Sequence, residues 1–276
     1  MRANNSLFDS GKLLGTPGVV QIEGAGGSGL SSWAMISGYG TNRQIGASVH
    51  YTVVPLNNFT LSATGVSVGI FDRLEISYTQ QRFDTNAAGE RLGLGRDFTF
   101  GQDILGAKLR VFGDAVYGQD SWLPQVSFGA QYKRSDKSEI VRTLGATEDS
   151  SIDLYAVATK IMLDQSLIFS AGARLTSANQ FGLLGFGSNT DTNGSARSLE
   201  FEGSVAYLLS RRFVLGLDYR SKPDNLTFAE ESDAFAAYLV WLPSKHFNVT
   251  AGYTDLGKIA LQGKQRGLYL SLQLGF

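Results

Sequence analysis

The 276 residues include no cysteine, so the chain has neither a disulfide framework nor a thiolate metal site, and cysteine usage leaves every compartment open. Only five prolines interrupt it. No run approaches the roughly 18 consecutive apolar residues of a membrane helix. Neither sign of charge is in excess: 24 Lys and Arg stand against 25 Asp and Glu. That balance argues against a polyanion-binding protein and against nucleic acid as a partner. Histidine is scarce, with His50 and His246 alone. Residues 1–5 are polar and show no secretory leader, so an exported chain of this sequence is expected to be a processed or re-engineered mature form.

Glycine and aromatics are abundant, with 33 Gly, 17 Phe and 11 Tyr. The mean hydropathy of -0.05 is that of a water-soluble chain. A membrane barrel has the same mean, because each strand alternates and its apolar and polar residues cancel. The C-terminal segment Arg266–Phe276 shows this alternation most clearly. Leu268, Leu270, Leu272, Leu274 and Phe276 share one strand face, and Tyr269, Ser271, Gln273 and Gly275 share the other. It resembles the closing strand of a bacterial outer-membrane β-barrel, a resemblance that implies recognition by the barrel-assembly machinery through Leu270, Leu272, Leu274 and Phe276.

Period-two alternation recurs at about 18–25, 32–39, 45–54, 59–70, 74–83, 104–114, 124–134, 152–163, 167–178, 199–209, 213–222, 234–242, 247–256 and 266–276. Many of these segments have the ~9–11 residues that a tilted strand needs to cross a bilayer. The expected fold is all-β: one transmembrane antiparallel up-and-down barrel of about 14 strands, or 12 if the first two segments lie inside it. Short turns at Phe71–Arg73, Asp164–Ser166, Ser210–Arg212 and Pro243–His246 alternate with long polar loops near 84–103, 135–151, 179–198 and 223–233. Outer-membrane barrels sort loops by side in this way, which puts both termini in the periplasm. Residues 18–276 are assigned to the barrel. Residues 1–17, with Leu7, Phe8, Leu13 and Leu14, form either a periplasmic tail or a plug.

The cost of charge selects the lipid face, since Lys or Arg there near mid-membrane costs about 2–4 kcal/mol. This places Glu75, Lys108, Arg110, Lys133, Lys160, Arg174, Glu200, Glu202, Asp218, Arg220 and Lys222 in the lumen, as constriction groups or as structural ion pairs. A three-residue hairpin at Ser210–Arg212 sets Glu202 opposite Arg220 and Glu200 opposite Lys222, each pair worth roughly 0.2–1 kcal/mol. Between 60 and 70 the phase changes, and a bulge near Gly65 reconciles it. Trp122 and Trp241, each followed by Leu-Pro, flank one predicted side and read as an interfacial girdle, with two core tryptophans as the other reading. The loops carry apolar residues, Leu92, Leu94, Phe98 and Phe100 in one and Phe181, Leu183, Leu184 and Phe186 in another. They form either a capture site for hydrophobic solutes or, the favoured reading, loop-on-loop packing.

Catalysis and metal binding find little support, and no cofactor is implied. Ser48 and His50 lie about 6.6–6.8 Å apart along one strand face, too far for direct proton transfer without a third group. The paired carboxylates Glu200 and Glu202 are held ionised by their basic partners. Thr147-Glu-Asp-Ser150 lacks the calcium-loop spacing, and Gly24–Gly29 lacks the Lys-Ser/Thr ending of a phosphate loop.

Six segments carry a wider likeness: Gly26–Trp33, Phe71–Asp84, Leu92–Phe100, Gln180–Phe186, Tyr207–Arg212 and the final strand. Together they resemble an uncharacterised family of predicted proteobacterial outer-membrane proteins, known only as a domain of unknown function. The resemblance implies location and architecture and gives no residue a role. The expected function is a porin-like channel for passive diffusion of small solutes. The alternatives are an uptake channel for hydrophobic solutes and a closed structural or interaction barrel. Expected partners are outer-membrane lipid and the assembly machinery, with a homo-oligomer or an envelope protein as further possibilities.

Overall fold

The computed structural model describes residues 7–8, 10–188, 197–226 and 229–276. Twelve strands form the wall: β3 (Ile45–Pro55), β4 (Thr60–Ile70), β5 (Leu74–Asp84), β6 (Thr99–Phe112), β7 (Gln125–Ser135), β8 (Ser150–Met162), β9 (Leu167–Thr176), β10 (Ser198–Ser210), β11 (Phe213–Arg220), β12 (Ala234–Ser244), β13 (Phe247–Ile259) and β14 (Gln262–Gly275). Each pairs antiparallel with the next, and β14 pairs with β3 to close the barrel. Closure removes every strand edge, as a structure crossing hydrocarbon requires. Alternation drives the pattern. Leu215, Leu217, Leu268, Leu270, Leu272 and Leu274 are exposed on the outer face, while Glu202, Asp218, Arg220, Ser271 and Gln273 are buried inside.

The two earliest predicted segments lie within the barrel. There β1 (Val19–Val20) pairs with β2 (Gly26–Gly27) in a small ribbon, and Gly27 forms an isolated bridge with Ser32. The wall therefore begins at Ile45 rather than at residue 18, and the strand count is twelve, the smaller of the two expected.

The connections sort by end, with exceptions. At the end that holds Phe276 they are 71–73, 163–166, 211–212 and 245–246, together with the longer 113–124. At the other end lie 85–98, 136–149 and the connections that leave β9 and β11, together with the tight 56–59 and 260–261. The long ones include α1 (Ala88–Arg91) and α2 (Ser138–Thr143). Phe71 and Asp72 both take the left-handed conformation (φ 54° and 51°), as the primed turn of a tight hairpin demands.

β4 pairs with β3 and β5 without any register shift, so the expected bulge near Gly65 is not there. Leu61 and Ala63 instead point inward and are buried. The phase change is chemical. Beside β4 the interior at the long-loop end is apolar, with Val54, Phe59, Phe83 and Phe100 buried, so the inward-facing positions of β4 there carry apolar side chains.

Candidate functional site

The lumen is occupied by the chain's own N-terminal region. Every residue from Val19 to Gly40 is buried. The segment enters and leaves at the short-turn end. The Leu7 carbonyl accepts from the Ile45 N–H (2.8 Å), and the Tyr39 N–H donates to the Phe276 carbonyl (2.9 Å). At the exit Gly38 (φ +77°) lies so close to Gly46 that a Cβ would fall 2.5 Å from the Gly46 carbonyl carbon. Its two-residue strands cannot satisfy its backbone, so wall side chains do. The N–H groups of Val20, Gly26, Leu30, Ala34 and Ser37 donate to Gln273, Glu75, Asp218, Thr159 and Glu75 at 2.8–3.0 Å. The Ala34 carbonyl accepts from Gln125 (2.7 Å) and Ser127 (2.6 Å), and the Trp33 indole donates to Ser204 Oγ (2.6 Å).

Glu23, the one charged residue between Val19 and Gly40, sits at the centre of a buried ionic cluster. Its carboxylate meets Lys133 (2.5 Å) and Arg220 (2.9 Å), with Arg174 farther off at 3.9 Å. Asp153 pairs with Lys133 (2.8 Å) and Arg174 (3.5 Å), and Glu202 with Arg174 (3.4 Å) and Arg220 (4.0 Å). Three acids thus face three bases, and desolvation is offset only while all are present. A second pair, Glu75 with Lys108 (3.1 Å), clamps the segment from β5 and β6, where Lys108 Nζ donates to the carbonyls of Gly26 (3.0 Å) and Trp33 (3.1 Å). At the mouth Asp72 bridges Lys12 (2.7 Å) and Arg110, and Arg110 also pairs with Asp114 (3.1 Å). Burial pushes the Lys12 amine below the ordinary lysine range, against the opposing pull of Asp72.

The long-loop end is capped by apolar packing. Phe100, Phe181, Leu183, Leu184 and Phe186 are buried in one cluster with Phe59, Phe83 and Leu61, and Leu92, Leu94 and Phe98 pack against it. Here Glu231 accepts two bonds from the Gln180 N–H (2.8 and 2.9 Å) and lies 3.6 Å from Lys222. Burial raises the Glu231 carboxyl to about 7, although the Lys222 charge opposes this.

Of the predicted lumen residues, Glu75, Lys108, Lys133, Arg174, Glu202, Asp218 and Arg220 face inward and are buried, and Arg110 lies at the mouth. Lys160 does not belong with them. It pairs across the sheet with outward-facing Phe169, and its amine donates to the Gly118 carbonyl (2.6 Å). Near the membrane edge a lysine stem can lie along apolar wall while its head reaches polar groups, so the charge rule weakens there. The Glu202–Arg220 register is as expected, but Glu200 does not meet Lys222. β11 ends at Arg220; Glu200 accepts from Ser198 and Ser221 (2.8 and 2.5 Å), and Lys222 turns to Glu231. Trp122 lies in the 113–124 connection and Trp241 on the outer face of β12, both towards the short-turn end.

His50 is buried, and neither ring nitrogen has a hydrogen-bond partner among the described residues. His246 Nδ1 lies 2.9 Å from the Gly275 carbonyl. Residues 1–6 of the predicted tail or plug, residue 9, and 189–196 and 227–228 of the predicted loops lie outside the described residues.

Sequence reasoning missed Glu23, Asp153, Glu231 and Trp33. A usable signal was present for the first. Residues 18–40 hold seven glycines and a single charge, a composition that suits a packed insert better than a lipid-facing strand.

No match was found among curated proteins. Among solved structures, the NanC porin superposes with a TM-score of 0.54 at 11% identity, covering 83% of this chain and 98% of that one. The KdgM porin, solved in complex with disordered oligogalacturonate, gives 0.53 at 9%, covering 83% and 99%. At these identities the likeness shows a shared fold. A family model described as protein of unknown function (DUF3034) matches residues 16–273. With the inserted segment and nearly the whole wall inside that match, the chain belongs to the DUF3034 family.

Proposed function

We propose that this protein is a channel for small polar solutes in a bacterial outer membrane, with the inserted segment setting whether the path is open. The observation that carries the reading is how the segment is held. It is tethered to the wall through one end of the barrel, and hydrogen bonds and ion pairs fasten it to the charged part of the lumen, beside the apolar packing of Val19, Ile22, Leu30 and Trp33. Water can replace the polar contacts at modest net cost. Two porins share the fold, and the mixed-charge lumen is the surface that a hydrated path needs. Both termini are taken as periplasmic, with Trp122 and Trp241 in the girdle on that side. The closing strand, Leu270 to Phe276, is the part offered to the barrel-assembly machinery.

Planar-bilayer recording tests the proposal on the full chain and on a variant lacking residues 18–40. The full chain should show rare or small conductance steps and the variant large, sustained ones. A folded variant no more conductive than the full chain would sink it. A closed structural barrel is the second reading. The apolar cap favours it, because Phe181 and Phe186 also seal the long-loop end.

A further inference from the structure

Beside the inserted segment, at the short-turn end, lies a cavity of about 1000 Å³. Its wall is anomalous for a lumen. Ile161, Ile168, Leu208, Val214, Val240 and Leu242 all face inward there. Across the barrel the inward positions are polar or charged, among them Ser48, Glu75, Lys108 and Ser127. Apolar side chains turned into a wet lumen gain nothing from lipid and need an apolar partner. Leu14, Val19 and Trp33 of the segment supply part of it and leave the cavity between. The rim is cationic. Arg211 and Arg212, in the exposed turn between β10 and β11, form no ion pair among the described residues, and Lys245 lies on the next turn, donating to the Ser10 carbonyl (3.2 Å).

We propose that this cavity binds a single-chain anionic amphiphile, a long-chain carboxylate in its simplest form. The acyl chain lies along the apolar wall against Trp33, and the head group meets Arg211 and Arg212. The volume is at the upper end of the roughly 300–1000 Å³ of small-molecule pockets, and an apolar lining with a few fixed polar groups at one end is their usual chemistry. Charge complementarity at the rim selects the anion, and the apolar lining selects the chain. The site does not depend on the segment leaving the lumen, so it stands apart from the channel reading.

The chain has three tryptophans, and with Trp122→Phe and Trp241→Phe the remaining indole, Trp33, reports on the cavity. Titration of the folded full chain with 9,10-dibromostearate in zwitterionic detergent should quench Trp33 saturably. Arg211→Gln with Arg212→Gln, in an exposed turn, should weaken the apparent affinity about tenfold, the effect that two part-exposed charge contacts supply. The uncharged dibromostearate methyl ester should bind weaker by a similar factor. Val240→Phe, which turns a ring into the cavity, should weaken saturable quenching if it folds; the turn variants decide the matter if it does not. Non-saturating quenching, or equal quenching of parent and turn variants, would overturn the proposal. So would a dibrominated phosphatidylcholine that quenches as well as the carboxylate, since the occupant would then be bilayer lipid.

Discussion

Glu23 holds three cationic side chains together, and its loss leaves the remaining cluster with two acids against three bases. Breaking one side of a buried pair costs about 3–5 kcal/mol because the other charge stays desolvated. Glu23→Gln should therefore lower the unfolding midpoint seen by unboiled gel migration, and Glu23→Gln with Lys133→Met should recover part of the loss. A double variant no more stable than the single one would contradict the pairing. Glu231 gives a pH test outside the spanning strands. Its folded value of about 7 lies above the unfolded value near 4.3, so the folded chain binds the extra proton between them. Its stabilising contribution is whole below about 4.3 and is lost as pH rises through about 7. Glu231→Gln should flatten that part of the stability profile; an unchanged slope would remove Glu231 as its source. On the outer face, Leu217→Lys should cost about 2–4 kcal/mol if Leu217 meets hydrocarbon near mid-membrane, whereas Lys160→Leu should change stability little.

At the level of elements, the wall was legible and the interior was not. Twelve of the alternating segments coincide with β3–β14 to within a few residues, because lipid on one face and polar neighbours on the other impose period two. The Glu202–Arg220 register was legible, but the three-residue hairpin was not right: a shift between Leu208 and Ser210 sets Ser210 opposite Phe213 and leaves Arg211 and Arg212 as a two-residue turn. Lys160 was misplaced because the charge rule has force at mid-membrane and little at the rim. The phase change between 60 and 70 suggested a bulge because parity was judged against lipid alone, while the cap had made the inner face apolar at Leu61 and Ala63. Segment 18–40 misled for a related reason: its short alternations satisfy wall side chains, and alternation does not reveal which partner it serves. The loop residues 181–186 form the cap with the core of the long-loop end. Phe186→Ala should therefore cost about 3–5 kcal/mol, as other buried Phe truncations do, and thermal unfolding would show it. If segment 18–40 closes the path, the same variant should conduct no more than the parent; a large rise would make the cap the seal.

The whole molecule is a closed twelve-strand cylinder with its own N-terminal region threaded into the lumen from the end that holds Phe276. Outer face, charged interior, inserted segment and apolar cap are linked: each wall position is chosen for what it faces, and the segment is among those partners. Because the chain has no cysteine, a pair introduced at Ala34 and Ser127 reports on this arrangement without interference. Ser127 Oγ donates to the Ala34 carbonyl at 2.6 Å, which puts a segment residue and a β7 residue in direct contact. The most direct measurement is cross-linking of Ala34→Cys/Ser127→Cys in the folded, membrane-inserted chain by a short bifunctional methanethiosulfonate, read by intact mass and peptide mapping without reductant. The structure predicts an intramolecular cross-link between residues 34 and 127, because the two lie side by side in the lumen. Two thiols that each carry a separate reagent, with no cross-linked peptide, would contradict it.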